Sequence, residues 1–429
     1  MIEVEFLQRL PQARRAAILT RSAATPAGIK EAVVGIITRL IGDPEGELRQ
    51  EYGPLKPGLD LADFKVSEEE IEDAYRALPA GVLAALKKAA EAIHKFHAAQ
   101  LERPAWFEEF APGLMAGRLT RPLERVGVYI PGGRAAYPSS ALMNIIPAKA
   151  AGVTEIVAAS PPGPDFTIRR ETLAAAHLAG AKTIYKLGGA WAVGCLAYGL
   201  AGLPRVDKIV GPGSAWVTSA KLAVFGQVDI DLPAGPSEGF IIADDQAPAE
   251  WLAWDLLAQL EHDPLAAAVL VSVDEGLARR VAAEINRLWP SLDRRDIVAE
   301  ALKNGTALLV AGNLDEAFAF ANLYAPEHLQ LVLAEPLSHL AKVRHAGSVF
   351  LGSHAPIAAG DYASGPNHVL PTGGAARMFS GLSVDSFLKK ITFQHLTPEA
   401  LRDLRPAAAT LARAEGLTAH ARSLEIRHP

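Results

Sequence analysis

The chain has 429 residues, half of them hydrophobic and 21% charged, with a formal net charge of −6. That length exceeds one ordinary hydrophobic core and implies two or three domains, while the mild, dispersed acidity and the lack of a long Lys/Arg block argue against a nucleic-acid or anionic-membrane binder. The single cysteine, Cys195, excludes a disulfide framework and a thiolate metal cage.

In chain order, the opening MIEVEFLQRLPQARR lacks the basic start and apolar stretch of a signal peptide. No window approaches the ~20 apolar residues of a membrane-spanning helix. A cytoplasmic protein acting on small molecules is expected. The first hundred-odd residues read as helical. Over Glu68–Gln100 apolar residues recur at three- and four-residue spacing with charges between them. His94 and His97 fall on this helix, but with no third ligand nearby they read as a solvated or half-buried face.

From Arg125 the texture changes. RVGVYI, TEIVAAS, TIYKLGG and DKIVGPG are strand-like, and each runs through Gly or Pro into a helical stretch. Repeated strand–loop–helix predicts a parallel sheet with right-handed crossovers. In YIPGGRAAYPSS, Gly132 and Gly133 permit close approach of main chain to a ligand, or make a plain tight turn; the motif is not GxGxxG. Cys195, in AVGCLAYGL, reads as buried core. After DLPAGPSE, the expected crossing point, the alternation resumes with GFIIAD, AAAVLVSV, TALLVAG, LQLVLA and SVFLG as strands. The fold class is therefore α/β: two successive Rossmann-like domains, an N-terminal helical segment and a C-terminal helical, charged arm.

Three stretches could carry chemistry. DLLAQLEHDP places Gln259 and His262 three apart near a helix end, on one face, where an amide oxygen and an imidazole could hold Zn²⁺ with further ligands from elsewhere. YAPEHLQL sets Glu327 beside His328 on a connection, after a helix capped by Asn313 and broken by Pro326. Such a pair can be an acid–base site or a solvated loop, and ligands in these sheets usually gather at the carboxyl ends of strands, whereas Glu327 precedes one. The long segment Gly360–Gly381 holds Asp361, Asn367 and His368 among several glycines and apolar residues, as a binding loop would.

In order and spacing, VYIPGGRAAYPSSALMNIIPAKAAGV, DLPAGPSE, LLAQLEHDP, APEHLQL, GDYASGPNHVLPT, FSGLSVDSFLKK and EGLTAHARSLEIR resemble the L-histidinol dehydrogenase family. The resemblance spans nearly everything from Val126 onward; the N-terminal helices fit more loosely. It implies NAD-dependent oxidation of L-histidinol through L-histidinal to L-histidine, the end of histidine biosynthesis. By resemblance, His328 takes the hydroxyl proton and Glu327 activates water on the aldehyde. The family's Zn²⁺ ligands match Gln259, His262, Asp361 and His420, the last supplied by the partner of a homodimer whose C-terminal arms cross. Further substrate contacts match Ser237, His368 and Glu415. The implied division is 1–25 as N-terminal segment, 26–128 with 238–382 as the domain bearing the metal and catalytic loops, 129–237 as the cofactor side, and 383–429 as the arm.

Tyr129 matches a cofactor position, but Trp191 and Ser214 stand where the family usually has Gln and Asn. Trp191 is expected to face the cofactor and stack on a flat ring. Two other readings stay open: a paralogous zinc/NAD dehydrogenase acting on another small alcohol, and a non-catalytic two-lobed small-molecule binding protein.

Overall fold

The computed structural model describes residues 2–21, 28–132, 136–232 and 235–427. Its strands are, in order, β1 (Val4–Phe6), β2 (Ala105–Ala111), β3 (Leu114–Pro122), β4 (Arg125–Tyr129) and β5 (Glu155–Ala159). There follow β6 (Thr183–Tyr185), β7 (Lys208–Val210), β8 (Asp229–Ile230), β9 (Glu238–Ala243) and β10 (Ala267–Ser272). The last are β11 (Thr306–Val310), β12 (His328–Val332), β13 (Ser348–Leu351) and β14 (Leu388–Leu396). They form a six-stranded sheet ordered β1-β11-β10-β9-β12-β13, a five-stranded sheet ordered β6-β5-β4-β7-β8, and a three-stranded sheet ordered β14-β3-β2.

The first two sheets are parallel throughout, as the strand–loop–helix alternation predicts. Every residue of β9, β10, β11 and β12 is buried, the mark of parallel strands covered on both faces. On one face, Ile241, Leu270 and Leu308 meet Leu256, Val281 and Ile285 from helices; on the other, Phe240, Val269 and Leu309 meet Phe318, Phe320 and Tyr324. The five-stranded sheet has its own core, in which Val157, Ile209 and Leu196 pack with Cys195, buried as expected.

Several segments differ from expectation. The N-terminal segment opens with β1, which joins the edge of β11 before its helix Gln12–Thr20. Helix Ile29–Gly42, expected with 238–382, instead gives Val33, Ile37 and Leu40 to the core of the five-stranded sheet. Residues 105–122 form an antiparallel hairpin, not helix, and the arm is helical only from Pro398, because Leu388–Leu396 pair along β3.

By contacts, Met1–Gln100 with Glu124–Phe387 form one compact unit, and Leu101–Leu123 with Leu388–Pro429 form another. In the second unit all of β2 is exposed, including Phe107 and Phe110, and the buried cluster among the described residues is Ala409, Ala412 and Ala421. No helix among the described residues is long and apolar enough to cross a membrane.

Beyond β7 and β8 lies a buried ion pair. Lys221 Nζ donates to Asp231 Oδ1 at 2.5 Å and to the carbonyls of Gly211 and Leu232, while Asp231 Oδ2 accepts from Gly211 N at 2.7 Å. Both side chains are 1% exposed. Lys221→Ala leaves that carboxylate buried and uncompensated, so it is expected to lower stability by about 3–5 kcal/mol in urea denaturation, against a much smaller loss for the exposed pair member Arg279→Ala.

Candidate active site

Glu327 and His328 stand at the amino end of β12. The preceding helix, Leu314–Tyr324, starts with Asn313 accepting from Glu316 N and stops at Ala325, whose φ of +50° turns the chain before Pro326. β12 then pairs in parallel with β9, His328 opposite Gly239. This register brings both residues against Glu238. Its main-chain N–H donates to Glu327 Oε2 at 2.7 Å, and its carbonyl faces His328 Nδ1 at 3.1 Å. A carbonyl only accepts, so Nδ1 carries a proton, and in the neutral ring Nε2 keeps the lone pair. The site therefore uses the amino end of this sheet, contrary to the usual placement.

His328 Nε2 lies 3.4 Å from Asp361 Oδ1, and Nδ1 lies 3.5 Å from Glu327 Oε2. Burial alone would lower the imidazole pKa; the two carboxylates outweigh it and push it up to about 10. Burial likewise would raise Asp361, but the imidazoles of His328, His368 and His262 hold it below its ordinary value. Asp361 lies in the short helix Ile357–Tyr362 rather than in open loop. Its main-chain oxygen accepts from His368 Nδ1 at 2.7 Å, which fixes His368 in the same tautomer, and burial holds His368 below the usual histidine range. Asn367 anchors this loop by donating to Met143 O at 2.6 Å, on the helix that follows β4.

Gln259 lies in the last turn of helix Ala249–Leu260, and His262 just beyond it. Gln259 is 1% exposed, and its Oε1 has no hydrogen-bond partner. A buried carbonyl oxygen without a donor is costly, and a cation would satisfy it. Gln259, His262 and Asp361 carry N and O donors of the kinds that suit Zn²⁺. Among the described residues no three His, Cys, Asp or Glu side chains gather as a metal site by themselves. Ser237 precedes β9, its carbonyl accepting from Ala267 N. Glu415 and His420 belong to the second unit and are exposed there.

At the carboxyl ends of β4 and β6, Tyr129 is buried and its hydroxyl accepts from Gly189 N at 3.4 Å, while Tyr52 holds Gly188 N at 2.9 Å. These two hydroxyls pin a turn in which Gly189 has φ +58°, a conformation that glycine adopts without strain. Gly132 is described beside it; Gly133 lies outside the described residues. Trp191 does not present a free indole. It packs against the core beside Tyr52, and its N–H donates to Glu47 at 3.1 Å. Ser214 is exposed at the start of helix Ala215–Val224.

Sequence reasoning missed two residues. Glu238 lies inside the quoted DLPAGPSE but received no role, and Arg21, its ion-pair partner at 2.6 Å, carried no local signal.

The family model described as Histidinol dehydrogenase matches residues 20–428. A histidinol dehydrogenase of Heliobacterium mobile is 52% identical over 86% of each chain. That of Methanothermobacter thermautotrophicus is 48% identical over 92% of each, and that of Methanocaldococcus jannaschii 43% identical over 99% of this chain and 98% of its own. A crystal structure of the enzyme from Elizabethkingia anophelis superposes with a TM-score of 0.93 at 36% identity, covering all of this chain and 97% of that one.

A Cβ at Gly239 would meet Gln259 Cγ at 2.5 Å. Gly239→Ala is therefore expected to displace Gln259 and to lower the zinc retained after dialysis below the wild-type stoichiometry, as read by elemental analysis.

Proposed function

Since the chain belongs to the histidinol dehydrogenase family, we propose that it carries L-histidinol through L-histidinal to L-histidine with Glu327 and His328 as the proton-transfer pair. The enzyme is an NAD-dependent oxidoreductase of histidine biosynthesis. The observation that carries the assignment of roles is the pair of main-chain contacts from Glu238.

NAD⁺ supplies the hydride acceptor at each oxidation. His328 Nε2 takes the substrate hydroxyl proton as the carbon gives up hydride. The aldehyde then needs water. Glu327 Oε2 is occupied by the Glu238 N–H, which leaves Oε1 to take a proton from the water that adds to the aldehyde carbon. As the water adds, the aldehyde oxygen takes the proton held on His328, which frees Nε2 to accept a hydroxyl proton of the hydrate at the second oxidation, so two neighbouring groups serve one carbon in sequence.

Gln259, His262, Asp361 and His420 are assigned as zinc ligands, and the unpartnered Gln259 oxygen supports this. When bound, zinc supplies a Lewis-acid anchor for the substrate's imidazole and amino nitrogens. Asp361 engaged in that way stabilises protonated His328 less. The neutral ring, with its proton held on Nδ1 by the Glu238 carbonyl, has Nε2 free to act as the base. Ser237, His368 and Glu415 complete the substrate contacts, with Glu415 facing a cationic amine. Tyr129 lines the cofactor side, 129–237.

His420 and Glu415 serve the partner's site in a homodimer located in the cytoplasm. The second unit supports the dimer: a buried cluster of a few alanines is too small a core, and an exposed apolar face of this kind marks an interface. A zinc set completed by an amide oxygen and a partner histidine needs only two of the clustered acid and imidazole groups from this unit.

The direct test is NADH formation with L-histidinol. Glu327→Gln should slow the conversion of supplied histidinal to histidine by about 10²–10⁴-fold and slow alcohol oxidation less; an unimpaired second step refutes the role. For the dimer, His420→Ala and His262→Ala chains are mixed under subunit exchange. One site of each mixed dimer would carry neither change, so activity returns; mixed dimers without activity mean that His420 serves its own subunit or no metal.

A further inference from the structure

Glu238 touches the catalytic pair only through its main chain, yet its side chain is the more heavily constrained part. The carboxylate is buried, with the residue 4% exposed. Oε2 accepts from Arg21 Nη2 at 2.6 Å, and Oε1 accepts from Gly373 N at 2.7 Å. Arg21 ends the helix Gln12–Thr20 with φ +48°, and its Nη1 donates to Leu19 O at 3.1 Å. Its guanidinium lies 3.4 Å from the ring centre of Tyr324, three residues before Glu327. Four segments thus meet at one carboxylate: the end of the N-terminal helix, the start of β9, the turn that delivers the pair, and the loop that carries His368.

Stability alone does not account for this arrangement. A buried ion pair gives little net stability compared with apolar residues of the same volume. What it fixes is geometry. Tyr324 under Arg21 and Glu327 on the Glu238 N–H are the two ends of one turn, Tyr324–Ala325–Pro326–Glu327, in which Ala325 also holds positive φ. Arg21 closes that turn from the far side. Resting on the roles proposed above for Glu327 and His328, we infer that Arg21 and Glu238 are positioning residues for the reaction. Their ion pair holds the Glu238 N–H and C=O where they aim Glu327 Oε1 and His328 Nε2 at the reacting carbon. Neither residue need touch substrate, zinc or cofactor to do this.

Loss of the pair lets the two main-chain groups drift, and misplacing a catalytic group by about 1 Å costs about 10²-fold. The test uses the full-length enzyme with Arg21→Met, Glu238→Gln, both together, and the conservative Arg21→Lys, assayed with histidinol and, separately, with histidinal. We expect kcat to fall by about tenfold to 10²-fold in each single variant, with KM for histidinol within about threefold and zinc content unchanged. The solvent deuterium isotope effect on kcat should rise, because misaligned proton transfer becomes limiting. Arg21→Lys should restore part of kcat, and the double variant should be no slower than the slower single, since both break one contact. Glu238→Gln, nearly isosteric, carries the test should Arg21→Met fail to fold.

A kcat within about twofold of wild type despite a lower melting temperature would make the pair a structural strut and overturn the inference, as would a lowered kcat with an unchanged isotope effect. A wild-type enzyme inert toward histidinol would refute the proposed roles and this inference together; an active wild type with undiminished variants refutes the inference alone.

Discussion

The parallel pairing of β12 with β9 is the interaction on which the site depends. His328 opposite Gly239 puts Glu327 and His328 against the main chain of Glu238. The same pairing leaves Gly239, without a side chain, beneath Gln259. A slip of one residue would turn His328 to the other face of the sheet and separate it from Asp361. Both faces of these strands are buried, so such a slip would also misplace Leu329 and Leu331. Core packing and catalytic geometry are therefore set by one register.

The pair gains much of its chemistry from main chain rather than from other side chains. One residue's N–H holds Oε2 of Glu327, and the same residue's C=O holds a ring proton of His328 on Nδ1. Main-chain groups cannot change charge, so under the proposed roles this orientation persists through each protonation change. His368 is treated in the same way by the carbonyl of Asp361.

Much of this was legible in the sequence. The apolar runs of β4 to β7 and β9 to β12 are short, β-branched and bounded by glycine or proline, as strands of a covered parallel sheet must be. Glu327 beside His328, and Gln259 three before His262, could be read because neighbours in sequence stay neighbours in space. The hairpin of β2 and β3 could not: its residues are exposed or half-buried, so no clear apolar alternation marks them. β14 is mostly exposed and gives equally little signal. Arg21 meets Glu238 across 217 positions, and nothing local to either announces the contact. The contacts of Trp191 with Tyr52 and Glu47 likewise span more than 130 positions and leave no local signal.

The discontinuity of the second unit bears on how the chain is made. β3 pairs with β2 at once, but its other edge waits for β14, which begins at Leu388. At roughly 5–20 residues per second, ribosomal synthesis takes roughly 10–50 s to pass from Pro122 to Leu388. Throughout that interval the nascent hairpin offers an open edge, with the aromatic rings of Phe107 and Phe110 uncovered beside it. A chain released early, by truncation or a stalled ribosome, would keep that edge open for good, which makes the hairpin a natural point of capture for chaperones that survey newly made protein.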